Sequence, residues 1–199
     1  MSEISELIKL IQTTESYRKH WGYNPHDNYA WREIMSFEYM KAFFPSMKKV
    51  RGRYGADGNC SELNLNWLEH KSVNASLRKT TKTYNFDRIY FEFDVSESRF
   101  RHSNEVDGYL FALYDRDSSN HPYPVHVLFS HGKKLLGLKK EINNEREKFF
   151  SDAVRKRDTI ELYYPVLHKY SDVYTDQVFC EQKHTYEPRA TLEIDGVLL

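Results

Sequence analysis

Asp57, Glu69 and Lys71 lie close together in the chain, and their types suit one chemical task. Hydrolysing a phosphodiester calls for oxygen ligands around a divalent ion. The ion polarises the phosphate and lowers the pKa of a bound water, and a nearby cation stabilises charge or orients the nucleophile. Asp57 and Glu69 would supply the oxygens, with the backbone carbonyl of His70 as a further donor. Lys71 would orient or help deprotonate the attacking water. Taken alone the spacing is unspecific, because 29% of the residues are charged. A surface strand with a same-face ion pair is the plainer account of it.

For these groups to meet, particular elements must carry them. Leu63 to Val73 reads as a strand, on which Trp67, Glu69 and Lys71 share one face while Leu68 and His70 take the other; Glu69 and Lys71 would stand about 7 Å apart. Gly55 to Gly58 reads as a turn holding Asp57, after an extended run from Lys48 to Tyr54. An adjacent antiparallel strand would then bring the Asp57 carboxylate beside that of Glu69. Upstream, a helix is expected from Asn28 to Phe44, capped by Asp27 or Asn28 and stopped by Pro45. Its stripe of Trp31, Ile34, Met35, Glu38 and Ala42 includes an acid that is costly to bury without a partner. Glu38 is therefore expected either to point at a charged site or to reach solvent at the edge of the stripe. Further strands are expected at Arg88 to Phe93, Gly108 to Tyr114, Pro124 to Phe129 and Thr159 to Val166, with a polar helix from Leu138 to Lys156. The pattern is α/β or α+β, a central mixed sheet flanked by helices.

The stretch Gly52-Arg-Tyr-Gly-Ala-Asp-Gly-Asn59, followed by Trp67-Leu-Glu-His-Lys-Ser-Val-Asn74, resembles the PD-(D/E)xK nucleases, and among them the PvuII-like type II restriction endonucleases. In that family a glycine-rich turn presents the first acid, and a strand supplies the second acid and the lysine. Ala56 stands where the family's proline often does. The likeness runs from Gly52 to Phe129 and implies a restriction-endonuclease-like core. It implies that Asp57 and Glu69 bind Mg²⁺, with Mn²⁺ able to substitute, and that Lys71 assists the nucleophile. Glu38 would correspond to an acid that some members carry on the preceding helix. Glu62 is a rival acid on the same hairpin, at the wrong offset for the motif.

Past the Glu-x-Lys strand, Asn74, Ser76, Arg78, Lys79, Thr80, Thr81 and Lys82 interleave cations with small hydrogen-bonding side chains. That mix suits phosphate and base-edge contacts with double-stranded DNA, and a solvated turn is the bland alternative. The family's histidine cluster is missing there, and His102, beside Arg99 and Arg101, is the substitute. Asn143, Asn144 and the run Lys133, Lys134, Lys139 and Lys140 are further polar surfaces, more simply read as solvated.

The 199 residues suffice for one core, and 1–199 is read as a single domain whose N-terminal helical part, 1–45, aids dimerisation. Within that part Ile4, Leu7, Ile8 and Ile11 recur at helical spacing. Aromatic surfaces around Tyr163, Tyr164 and Tyr174 are a second place for an interface. Twenty-nine Lys and Arg offset 29 Asp and Glu, so a DNA surface must arise from local segregation of charge. Cys60 and Cys180 match no zinc spacing and are expected as free buried thiols. No secretory signal or membrane-crossing run is visible, so a cytoplasmic enzyme without a membrane partner is expected. The expected function is a homodimeric type II restriction endonuclease that leaves 5′-phosphates and works beside a cognate DNA methyltransferase. The rivals are a repair or recombination nuclease of the same fold and a non-catalytic DNA-binding module.

Overall fold

The computed structural model describes residues 29–50, 56–76, 84–95, 105–116, 123–151 and 159–175, with the backbone of two short strands at Glu193–Ile194 and Val197–Leu198. The expected helix near the N-terminus, the basic segment Arg78 to Lys82, Arg99, Arg101, His102 and Cys180 lie outside the described residues.

The chain runs through α1 (Tyr29–Met40), β1 (Met47–Lys49), β2 (Gly58–Cys60), β3 (Leu65–Ala75), β4 (Tyr90–Asp94), β5 (Gly108–Asp115) and β6 (His126–His131). It continues through α2 (Gly132–Ser151), β7 (Thr159–Tyr163), α3 (Tyr164–Lys169) and β8 (Asp172–Thr175). Six strands form a sheet in the order β1-β2-β3-β5-β6-β8, and β4 pairs with β7 in a separate antiparallel ribbon. Only the β3–β5 pair is parallel within the six-stranded sheet, so the sheet is mixed, as the sequence pattern predicts. A parallel neighbour needs a crossover, and β4 lies in the connection that provides it.

β5 is buried along its whole length because both faces of the sheet are covered. Its residues divide with period two. Tyr109, Phe111 and Leu113 join Phe91, Phe93, Ile160 and Leu162 of the ribbon and Leu135, Leu138 and Ile142 of α2. Leu110, Ala112 and Tyr114 join Met35, Phe37 and Met40 of α1 together with Leu68, Val127 and Phe129. Helix α1 thus lies on one face, and α2 with the ribbon on the other.

The strands expected from Leu63, Arg88 and Pro124 begin two residues later, at Leu65, Tyr90 and His126, and three further boundaries differ for a local reason. The helix expected to run to Phe44 ends at Met40, and the Phe44 N–H closes back on the Met40 carbonyl at 2.9 Å. The polar helix begins at Gly132 rather than Leu138, since a glycine at φ 55° lets the chain leave β6 and enter a helix at once. The strand expected to reach Val166 stops at Tyr163, because Pro165 in the first turn of α3 suits a helix start, where its missing N–H costs nothing. Among the described residues, no helix is long and apolar enough to cross a membrane.

Candidate active site

A short hairpin brings the first acid to the second. β1 pairs with β2 antiparallel, Lys49 facing Gly58, and β2 pairs with β3 antiparallel, Gly58 facing Leu68. Asp57 stands just before β2, its carbonyl accepting from Val50 N–H at 2.8 Å and its own N–H donating to the Leu68 carbonyl at 2.9 Å. Gly58 is required there. A Cβ on it would lie 2.1 Å from the Phe37 ring and 2.6 Å from the Lys48 carbonyl oxygen.

The Asp57 carboxylate reaches β3 itself, where Oδ2 accepts from the His70 N–H at 2.7 Å. Glu69 and Lys71 flank that peptide on the opposite face of the strand from His70. Their side chains approach to 3.5 Å, and the Lys71 ammonium also lies 5.5 Å from the centre of the Phe93 ring. Both contacts are compatible with a cation held over the acids.

Burial dominates the electrostatics of this site. Burial pushes the Glu69 carboxyl above its ordinary range, Lys71 pulls it back, and the negative charge of Asp57 pushes it further up. The Asp57 carboxyl is likewise raised by burial, against the opposing His70 N–H and the positive charges of Lys71 and Lys49. Glu33 of α1, only 8% exposed, is a third acid of this group. Its carboxyl is raised by burial, lowered by its bond to Lys49 at 2.5 Å, and raised again by Asp57. In all three, desolvation outweighs the lysines.

Tyr29, the first residue of α1, donates its hydroxyl to the His70 carbonyl at 2.6 Å. Burial and the negative charges of Asp57, Glu69 and Glu33 hold that phenol in its protonated form, which places it among the acids. The helix is locked to the sheet by a buried polar web. His70 Nε2 meets Ser36 Oγ at 2.9 Å, Ser36 Oγ meets Tyr114 Oη at 3.0 Å, and both hydroxyls reach the Arg32 carbonyl, at 2.7 and 2.6 Å. Burial lowers the His70 pKa well below its ordinary value, with the charges of Arg32, Lys71 and Lys49 adding to it, so the ring is neutral within this web.

Asp57 and Glu69 thus lie within electrostatic reach of each other, and Lys71 acts on both. The carbonyl of His70 faces the same edge but already holds one hydrogen bond, leaving a second lone pair for any further partner. Glu38 does not join them. It pairs with Lys41 at 2.6 Å and stands five residues on from Glu33, about 140° around the helix. Glu62 is also elsewhere. It exchanges bonds with Ser46, at 3.0 and 2.9 Å, at the end of the hairpin remote from Asp57.

Sequence reasoning missed Glu33, Lys49 and Tyr29. The available signal was the polar stripe Tyr29, Glu33, Ser36 at helical spacing, masked by the apolar stripe that contains Glu38. Of the DNA-facing set, Asn74 sits half-buried near the end of β3 opposite Tyr114, and Ser76 is exposed just beyond it. The lysine run on α2 is partly committed elsewhere, Lys134 to Asp172 and Lys139 to the Val106 carbonyl. Tyr164 is no spare surface, being buried with its ring 4.4 Å from that of Phe86, while Tyr174 packs on Phe43 and Phe44. Cys60 is a buried free thiol.

Among the described residues, no three His, Cys, Asp or Glu side chains form a ready cage for a metal. The donor set on offer is two carboxylates and a peptide oxygen, all hard oxygens of the kind Mg²⁺ takes, with water completing its shell. The upward pKa shifts of the acids point the same way, since added positive charge would relieve them. A scan against protein-family models finds no match for the chain, and a search of curated proteins finds none either.

Proposed function

We propose that this chain is a Mg²⁺-dependent DNA endonuclease, and within that class a homodimeric type II restriction endonuclease that leaves 5′-phosphates. One observation carries the reading. Asp57 and Glu69 act on each other electrostatically with the Lys71 ammonium 3.5 Å from Glu69, and burial raises both carboxyls. Mg²⁺ held by Asp57, Glu69 and the His70 carbonyl would polarise the scissile phosphate and activate a water. Lys71 contributes a fixed positive charge at the phosphate, and the cation–π contact with Phe93 keeps that charge on the acid-bearing face. Asn74 and Ser76 lead from the strand towards Arg78, Lys79, Thr80, Thr81 and Lys82, the residues offered to the phosphates and base edges of double-stranded DNA.

Digestion of a sequenced phage DNA with Mg²⁺, followed by sequencing of the fragment ends, tests the proposal. Discrete fragments with a shared end sequence support it. Smears or nicks would point to a structure- or damage-directed nuclease, and retention of DNA without cutting to a binding module. Absence of both cutting and retention at low salt would remove the nucleic-acid reading altogether.

A further inference from the structure

We propose that Tyr29 is a positioning residue of this site, whose hydroxyl clamps the peptide between Glu69 and Lys71. The inference rests on the nuclease reading for its effect on turnover, but on geometry alone for the clamp. Along a strand, successive residues turn their N–H and C=O to alternate edges. The Trp67 and Ala75 carbonyls accept from Asp107 and Arg116 on the β5 side, whereas the Leu68 carbonyl accepts from Asp57 on the outer side. The peptide groups of His70 therefore face outward, one step past Leu68, where the pairing with β2 ends.

Two side chains replace the missing strand there. Asp57 takes the His70 N–H and Tyr29 the His70 C=O, at 2.7 and 2.6 Å. A backbone pair at a partly buried edge needs both partners, and here one is an acid of the site and the other comes from α1. Tyr29 as a whole is 46% exposed, while its hydroxyl is turned inward to the His70 carbonyl. Arg32 lies 5.8 Å from the ring centre and would still do so over a phenylalanine. Because α1 is fixed by Ser36 and Tyr114, the clamp transmits the helix position to the two residues flanking His70.

Tyr29→Phe tests this, with Tyr170→Phe as a control that removes a hydroxyl of similar kind from its remote 2.9 Å bond to Glu141. Thermal melts of both variants establish that they fold. The first readout is the carbonyl ¹³C chemical shift of His70 by NMR, which reports hydrogen bonding to that oxygen. It should move upfield in Tyr29→Phe, where the bond to the carbonyl is lost, and stay unchanged in Tyr170→Phe. The second is Mg²⁺-dependent cutting, where kcat should fall about tenfold in Tyr29→Phe with KM for DNA within twofold of wild type. An unchanged carbonyl shift overturns the clamp whatever the turnover. A moved shift with wild-type turnover overturns the positioning role and leaves a merely structural bond. If the wild-type chain does not cut DNA, the nuclease reading fails, and the carbonyl shift alone decides whether Tyr29 holds the strand.

Discussion

Beside β3 the carboxylates of Glu33, Asp57 and Glu69 share the ammonium groups of Lys49 and Lys71, whereas at the start of β8 the single carboxylate of Asp172 takes both Lys134, at 2.5 Å, and His131, at 3.5 Å. Both clusters join acids to cations at the sheet. The first sets three acids against Lys49, Lys71 and the neighbouring Arg32, and it is buried enough that every one of its carboxyls is raised. In the second the acid has a partner on each side, and burial lowers the His131 pKa even though Asp172 opposes it. A cluster that neutralises itself has no use for a further cation. A buried cluster whose carboxyls are all raised would gain from a further cation, and on the proposed reading that difference in burial is what separates the β3 site from the β8 pair.

The largest effect expected from this contrast is at the β3 site. Lys71→Ala and Asp57→Asn should each lower Mg²⁺-dependent cutting by about a thousandfold, with DNA binding within a few fold of wild type. Timed digestion combined with a gel shift in Ca²⁺ reads both quantities. Full activity in either variant would place the chemistry elsewhere and end the comparison.

The two acids on α1 sharpen it next. Glu33 lies within the electrostatic reach of Asp57, while Glu38 is occupied by Lys41 on another side of the helix. Glu33→Gln is expected to raise the Mg²⁺ concentration for half-maximal cutting about tenfold, and Glu38→Gln to change it less than twofold. The opposite ranking, measured by metal titration of the cutting rate, would restore Glu38 to the site.

These two residues also show where the sequence was readable and where it was not. The pairing of the Asp57 segment with the Glu-x-Lys strand was legible because a strand has period two and a hairpin folds back on itself, although Gly58, expected at the end of a turn, opens β2, and Gly55 lies outside the described residues. The mixed sheet was legible for a related reason: β5 and β6 are apolar runs of strand length. Glu33 was not legible. Helical periodicity puts Glu33 and Glu38 on different faces, but which face meets the hairpin depends on how α1 docks. That docking is set by long-range bonds from Ser36 to His70 and Tyr114. Tyr29 and Lys49 were hidden likewise, since their partners lie 41 and 16 residues away.

The raised carboxyls make a prediction about stability, with a definite sign. An acid whose folded pKa exceeds its unfolded value binds its proton more tightly when folded, so the folded state loses stability as pH rises from the ordinary carboxyl value near ~4 through the raised folded value. The cost is in force in full only above the raised folded value. Glu69→Gln removes one such charge, so the metal-free variant should melt about 2–4 °C above the wild type at pH 7. The gain should shrink as pH falls and vanish below the ordinary carboxyl value, where the acid is protonated in both folded and unfolded states. Added Mg²⁺ should raise the wild-type melting temperature more than that of the variant. A variant that melts below the wild type at pH 7 would mean that Glu69 is satisfied by Lys71 and that burial does not raise its carboxyl.

The smallest effect belongs to the β8 cluster, and it is the most direct way to break the contrast. Asp172 is about one-third exposed, and its partner Lys134 is 45% exposed, so the pair is solvent-screened and contributes on the order of 0–1 kcal/mol. Asp172→Asn keeps an acceptor oxygen for Lys134, which also holds the Ser171 carbonyl at 3.2 Å, so the start of α2 should stay docked against β8. The melting temperature should fall by no more than about 3 °C. Cutting rate and Mg²⁺ requirement should both stay within twofold of wild type, because the β8 site takes no part in holding the metal or the phosphate. A large loss of cutting in a variant that still melts near the wild-type temperature would show that burial of the acids does not separate a working site from a structural one in this fold.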